Sequence, residues 1–535
     1  MACPGRRNFL WFLSVVVLIS SSTRAQPGRF DVIAQNAGVA SMHTVVTHFS
    51  NAIFLDRTNI GPSQINLAGG GCRDNPDDRT LKHDCTAHSV MFDYFSGASR
   101  ALSIYSDTWC SSGQFLPNGT LLQTGGDFDG FFKVRYMTPC PNGGTCDWQE
   151  SKTEFLHSGR WYASNQLLPD GRVIVVGGRS AFSYEFIPDR GAGQFELPFL
   201  KETNDPTFNN LYPFLHLLPD NNLFVFANRD SILLNYFTNT VLRRYPTLPG
   251  EPRNYPSAGS SVMLPLDSAN SFSNAEILVC GGSNKDAYAY PAGQLPASQT
   301  CGRMVATSGD PNWNILNMPT RRNMGDMVLL PTGQVLIING AQSGSQGWGY
   351  ASSPCLNPVI FDPVSSKFET QAASTIPRMY HSTANLLPDG RVLVAGSNTH
   401  EYYTFTGEFP TELRVEAFSP AYLDPANDWQ RPKLVNYPGV INYGMPFSVD
   451  VSLPGNLTGD IELTLLSAPF TTHSFSQGQR QLKLAVSTPL RANGNTFTVK
   501  SSAPPSAVIA PPSFYMLVPL HNGIPGTATW VMVTY

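Results

Sequence analysis

Short apolar runs, each entered through the same kind of turn, organise the chain as far as about residue 400. Leu116-Pro117-Asn118-Gly119 leads into Leu121-Leu122-Gln123-Thr124-Gly125-Gly126, and Leu168-Pro169-Asp170-Gly171 into Val173-Ile174-Val175-Val176-Gly177-Gly178. The pattern returns at Leu218-Pro219-Asp220-Asn221 before Leu223 to Phe226, at Leu330-Pro331-Thr332-Gly333 before Val335 to Ile338, and at Leu387-Pro388-Asp389-Gly390 before Val392 to Gly396. A degenerate copy sits at Ile277-Leu278-Val279-Cys280-Gly281-Gly282. Asp-Gly and Asn-Gly permit the positive φ of a tight turn, and an unbroken apolar run suits a strand buried on both faces. Each unit therefore reads as strand, turn, strand.

The copies recur about every 50 to 58 residues, the spacing of a kelch-type blade, whose four-stranded sheet covers its apolar faces by packing on its neighbours round an axis. With the segment Met42 to Leu55 as a further blade the count is seven, which predicts a seven-bladed kelch-type β-propeller over residues 26–410. The repeats stop near residue 405, and a connection runs from Phe409-Pro410 through Phe418-Ser419-Pro420. From about Arg431 to Tyr535 the chain alternates in short runs, such as Phe447-Ser448-Val449-Asp450-Val451 and Ile461-Glu462-Leu463-Thr464-Leu465. That alternation predicts an immunoglobulin-like β-sandwich within a C-terminal domain, 411–535. The expected class is all-β.

Composition agrees: charged residues are 14% of the chain, while 45 Gly and 43 Pro suit a protein of many tight turns. A formal charge of -4 leaves no basic stripe for nucleic acid. Arg6 and Arg7, the apolar run Phe9 to Ile19, and Ser21-Ser22-Thr23-Arg24-Ala25 read as a secretory signal peptide over residues 1–25. That run is about half the length needed to cross a bilayer, and no later one is longer, so a soluble extracellular protein (apoplast or cell wall) with no membrane partner is expected. The sequons Asn118-Gly119-Thr120 and Asn456-Leu457-Thr458 fit that route. Cleavage would remove Cys3 and leave eight cysteines, for which disulfides are the default in an oxidising compartment. Cys72 with Cys85 and Cys140 with Cys146 would close short polar loops. If Cys110 has another task, one of Cys280, Cys301 and Cys355 stays a buried free thiol.

Reactive residues occupy equivalent places shortly before the turn signature. They are Cys110 in Asp107-Thr108-Trp109-Cys110-Ser111, Tyr162 in Gly159-Arg160-Trp161-Tyr162-Ala163, and Tyr380-His381 in Arg378-Met379-Tyr380-His381-Ser382. A common offset in a repeat points them to one end of the axis. These segments resemble the galactose oxidase and glyoxal oxidase family of copper-radical oxidases, and the organisation of the mature chain is similar to the glyoxal oxidase branch. The resemblance implies a thioether between Cys110 and Tyr162, Tyr380 as an axial ligand and His381 as one imidazole of a single copper. It places the second imidazole in a loop of the last domain, where Pro469-Phe470-Thr471-Thr472-His473-Ser474-Phe475 matches, so His473 is the candidate.

Phenolate and imidazole suit Cu(II). One copper passes one electron, whereas oxidising an aldehyde hydrate removes two, so a second redox centre is needed; a thioether-substituted Tyr162 would serve. The resemblance implies that Tyr380 acts as base, that the Tyr162 radical abstracts hydrogen, and that dioxygen becomes hydrogen peroxide. In the sugar-oxidising branch a tryptophan two residues after the Gly-Gly stacks on the thioether; here Ser180 follows Gly177-Gly178, with Phe182 and Tyr184 as candidate replacements. Trp109 and Trp161 read as packing residues, and His43, His48, His83, His88, His157, His216, His400 and His521 as structural or surface. The expected function is oxidation of small, glyoxal-like aldehydes by a monomer, with the aldehyde and O2 as partners. A primary alcohol or carbohydrate oxidase is the second enzyme reading. A metal-free kelch binding module of the cell wall is the non-enzymatic one, and the presence of all five site residues argues against it.

Overall fold

The computed structural model describes Met1, Ala2 and residues 26–535. The expected signal peptide and Cys3 lie outside that main described stretch. The architecture is all-β, with one short α-helix, Pro198–Glu202, among the described residues.

Each of the five turn signatures closes an antiparallel hairpin whose first strand leads a sheet, and two further sheets are led by strands without the signature, His43–Val46 and Gly259–Met263. In chain order the leading strands are β1 (His43–Val46), β2 (Ser112–Phe115), β3 (Ser164–Leu167), β4 (Phe214–Leu217), β5 (Gly259–Met263), β6 (Asp326–Leu329) and β7 (Ser382–Leu386). The register is regular, with Ser164 to Leu167 facing Val176 to Val173, and Ser382 to Leu386 facing Gly396 to Val392. The second strands, such as Val173–Val176 and Val335–Ile338, are wholly buried, as their unbroken apolar runs predict. Six of the sheets have four strands, and the one led by β1 has six. The leading strands pack in series, β2 on β3 and onward through β4, β5, β6 and β7, and β7 on β1.

Two segments behave differently from their sequence reading. Val415–Ser419, expected in the connection, is the third strand of the sheet led by β7, and Arg29–Ala34 is its fourth, with Phe30 opposite Phe418. The first repeat-bearing sheet elements therefore lie past residue 34, and the last sheet is finished by the beginning of the described chain. Val415–Ser419 is paired on both edges, with Arg29–Ala34 and with the strand Val392–Gly396, a long-range arrangement with no local signal.

Beyond residue 430, Lys433–Asn436, Pro446–Ser452, Thr496–Ser502 and Leu490–Asn493 form one sheet. A second is built on Gln481–Leu484, Ile461–Ser467, Ser513–His521 and Thr529–Thr534. Val449, Val451 and Val499 of the first share a core with Leu463, Leu465, Leu517 and Val531 of the second. Leu266–Asp267 pairs with Leu482–Lys483, tying this unit to the repeats.

From the second sheet a hairpin, β8 (Phe470–Thr472) and β9 (Phe475–Gln477), reaches among the leading strands. β8 pairs with β1 and contacts β2 and β7; β9 contacts β3, β4, β5 and β6. The sequence reading had a loop here. Cys72–Cys85 and Cys140–Cys146 are disulfides, and the third joins Cys280 to Cys301, which face each other on adjacent strands. That leaves Cys355 free, half-buried rather than buried, and Cys110 free and buried.

Candidate metal centre

The sequence-predicted residues meet where the leading strands begin. Cys110, Tyr162 and His381 stand one or two residues ahead of β2, β3 and β7, and all three have positive φ, 51°, 68° and 61°. His473 is also left-handed, at 47°. Such conformations cost a non-glycine residue about 1 to 3 kcal/mol each and persist only where the surroundings hold them.

A buried arginine does part of that holding. Arg160, two residues before Tyr162, donates to the Gly177 carbonyl at 2.7 Å and forms a fully buried ion pair with Glu185, Nε to Oε1 2.6 Å. Arg378, two residues before Tyr380, donates to the Gly396 carbonyl at 2.8 Å and pairs with Glu416 at 2.9 Å. Each guanidinium thus ties the segment before a leading strand to the end of the strand beside it.

His473 arrives from the other side. Thr472 faces Phe475, which leaves His473 and Ser474 as a two-residue turn, both with positive φ, as a type I′ hairpin requires. The segment after it is anchored by side chains to separate sheets. Gln477 Oε1 accepts from Asn165 N at 2.9 Å, Gln479 Oε1 accepts from Leu329 N at 2.7 Å, and Arg480 donates to the carbonyls of Ile509 and Leu217.

All five predicted residues come together. Donor atoms of Cys110, His381 and His473 lie within 4.8 Å of one another. Cys110 Sγ is 3.2 Å from His473 Nε2. The rings of Tyr380 and His381 stack at 3.8 Å, and the Tyr162 and His473 rings are 6.0 Å apart, edge to face. Burial pushes the Cys110 thiol and the Tyr162 and Tyr380 phenols up, and holds His381 and His473 well below the ordinary imidazole value, hence neutral with a lone pair to offer. His473 Nδ1 is 2.5 Å from Thr472 Oγ1, which leaves Nε2 facing the centre. Neither nitrogen of His381 has a hydrogen-bond partner, although the residue is 2% exposed. Orphaned buried imidazole nitrogens call for an unseen partner, and two neutral imidazoles beside two phenols make a donor set suited to copper. The other close group of donors among the described residues, Cys72, His83 and Cys85, is no equivalent, since its two sulfurs are bonded to each other.

A cavity of about 140 Å³ opens on this cluster; Tyr162 and Tyr380 line it, and Cys110, His381 and His473 do not. Trp109 and Trp161, expected to be packing residues, are half-buried walls of this cavity. The Trp161 ring lies 4.6 Å from that of Tyr162, and Trp109 stacks on Trp348 at 5.6 Å. Arg179 is the one charged side chain of the lining, 4.8 Å from the Phe208 ring. Ser180 is exposed, and neither proposed substitute reaches the site: Tyr184 stacks on Phe195 and Phe182 packs beside it. The ring stacked on Tyr162 belongs instead to Tyr255, at 4.3 Å and 28°. Sequence reading missed it, yet a signal existed: Arg253-Asn254-Tyr255 repeats the Arg-x-Tyr of Arg160-Trp161-Tyr162 and Arg378-Met379-Tyr380. Arg253 donates to the Gly281 carbonyl as those arginines do to Gly177 and Gly396, although Tyr255 stands four residues before its leading strand rather than two.

Fold and site together define a class: an all-β protein of serial four-stranded sheets with a buried centre of neutral imidazoles, phenols and a thiol at the mouth of a small aromatic cavity. A family model described as "Glyoxal oxidase N-terminus" matches residues 42–422, and one described as "Galactose oxidase-like, Early set domain" matches residues 431–533. The chain belongs to the glyoxal oxidase family. It is 53% identical over 512 residues to aldehyde oxidase GLOX of Vitis pseudoreticulata, covering 95% of this chain and 97% of that one. It is 42% identical over 525 residues to aldehyde oxidase GLOX1 of Arabidopsis thaliana, covering 95% and 85%. Among solved structures, a fungal alcohol oxidase in complex with copper matches its fold with a TM-score of 0.72 at 17% identity, over 96% of this chain and 100% of that one.

Proposed function

We propose that the protein is a secreted copper-radical oxidase of small aldehydes, in which an aldehyde hydrate and O2 give a carboxylic acid and H2O2. The observation that carries this reading is His381, buried with both ring nitrogens unpartnered, beside His473 and Cys110. Family membership and the aldehyde oxidase names of its relatives support the activity. The cavity volume supports a small substrate, being close to the roughly 150 Å³ of a cavity that takes benzene. Three disulfides and the exposed sequon residues Asn118 and Asn456 support an extracellular route, and no helix among the described residues is long and apolar enough to cross a membrane. The serial packing of the leading strands supports a seven-bladed kelch-type propeller, here bounded at Ser419, followed by an immunoglobulin-like sandwich.

In this reading Tyr162, Tyr380, His381 and His473 hold one copper, and Cys110 is joined to Tyr162 by a thioether. Bound there, copper supplies one electron acceptor and the cross-linked Tyr162 the other. Tyr380 Oη takes the hydroxyl proton of the hydrate, and Tyr162 Oη takes the hydrogen from its carbon. Both oxygens belong to residues that line the cavity, so a substrate held there meets them together. Trp109, Trp161 and Trp348 limit its size and exclude water.

The test is a mass measurement on the copper-loaded protein. A peptide pair containing Cys110 and Tyr162, linked and lighter by two hydrogens, is expected; separate unmodified peptides after loading in air would refute the cofactor. Peroxide production on galactose but not on small aldehydes would overturn the substrate.

A further inference from the structure

Tyr255 has no task in the reaction as described. We infer that it is a positioning residue of the oxidase: its ring covers a face of Tyr162, and its hydroxyl lines up the phenolic oxygens of Tyr162 and Tyr380. The Tyr255 Oη is 3.0 Å from Tyr162 Oη and 3.4 Å from Tyr380 Oη, and the residue is 6% exposed. These two phenols are its hydroxyl's partners among the described residues, so they specify where it points. A buried hydroxyl without a partner is costly, and a phenylalanine would fill the same space without that cost.

The segment is held rigidly. Tyr255 N donates to the Leu211 carbonyl at 3.2 Å, Asn254 Nδ2 donates to the Tyr212 carbonyl at 2.9 Å, and the buried Arg253 donates to the Gly281 carbonyl. These bonds fix the backbone at Tyr255, and its buried ring packs against those of Tyr162 and Tyr212.

A hydroxyl has one proton and can rotate it towards either neighbour. With copper held as proposed above, Tyr162 Oη would carry no proton and would only accept, so the Tyr255 hydroxyl would donate to it, and a hydrogen bond to a charged acceptor is the stronger kind. That bond favours the ligand before it gives up an electron over the neutral radical afterwards. Tyr255 thus makes Tyr162 harder to oxidise, while its ring shields the oxidised face from small molecules in the cavity. This inference rests on the reading of Tyr162 as the oxidised residue.

Copper-loaded wild type, Tyr255→Phe and Tyr255→Leu are compared for copper per chain, for the fraction of Cys110–Tyr162 cross-linked peptide, and for one-electron oxidation by hexacyanoferrate(III). That titrant takes one electron from Tyr162 and becomes hexacyanoferrate(II). Tyr255→Phe keeps the ring and the packing, so wild-type copper and cross-link are expected, with the oxidation equilibrium displaced about tenfold toward the oxidised form, about 59 mV for one electron. Tyr255→Leu should in addition shorten the lifetime of the oxidised absorbance at least tenfold. An unmoved midpoint in Tyr255→Phe with a normal cross-link overturns the role of Tyr255 alone. Absence of the cross-link in the wild type overturns the reading of Tyr162, and the inference with it.

Discussion

Gly113 is where β2 packs directly against the hairpin bearing His473. Its φ is not in the left-handed region, so glycine is required there by space. A Cβ on Gly113 would sit 2.5 Å from Cε2 of Phe470, closer still to Cδ2, and 3.0 Å from the Leu122 carbonyl oxygen. Carbon atoms rest at about 3.5–4.0 Å, so the Phe470 ring must retreat by roughly 1 Å. It has nowhere to go, being wholly buried in a cluster with Val45, Ile53, Leu55 and Leu121. Overpacking of this kind costs about 1–3 kcal/mol. Phe470 opens the hairpin whose tip carries His473, and metal–ligand distances in proteins lie within about 0.2 Å of their standard values, so a shift of the hairpin misplaces the imidazole. Gly113→Ala is therefore expected to lower the melting temperature and to retain well under one copper per chain. Phe470→Ala alone should cost about 3–5 kcal/mol by leaving a cavity. The double variant should be more stable than the sum of the two losses by about 1–3 kcal/mol, since the new methyl group then occupies vacated space. Thermal denaturation and metal analysis of the four proteins decide it. Wild-type melting and full copper in Gly113→Ala, or strict additivity in the double variant, would show that the hairpin is not seated through this contact.

Two other expectations concern what surrounds the centre. Glu185→Leu leaves the Arg160 charge buried without its partner and should cost about 3–5 kcal/mol in denaturant unfolding. Because Arg160 stands two residues before Tyr162, the cross-linked fraction should fall as well; an unchanged unfolding midpoint would count against the pair as the anchor. Burial lowers His216 from its ordinary 6.5 to about 3. Between those values the unfolded chain takes up a proton that the folded one refuses, so the stability present above pH 6.5 is lost as pH falls toward 3. His216→Gln should flatten the slope of stability against pH in that window by up to about 1.4 kcal/mol per pH unit, and a slope equal to wild type would refute the assignment.

How much of this was legible beforehand divides along a physical line. The turns at Asn118-Gly119, Asp170-Gly171 and Asp389-Gly390 and the buried strands that follow them depend on backbone sterics and on apolar runs a few residues long, and the sequence by itself determined them. The repeat offset was also enough to nominate Cys110, Tyr162, Tyr380 and His381 as neighbours, since equivalent places in a repeat share a direction. Contacts between distant segments were not written locally. Arg29–Ala34 is a strand because Val415–Ser419 offers it an edge. Cys280 pairs with Cys301 because two strands bring them face to face, and His473 is held at the centre because β8 and β9 contact all seven leading strands. Ser180 announced that a stacking ring was missing from its usual place. Only the tertiary structure decided that Tyr255, from another sheet, lies against Tyr162, because which ring covers a given face is settled by packing between sheets and leaves no trace in either segment alone.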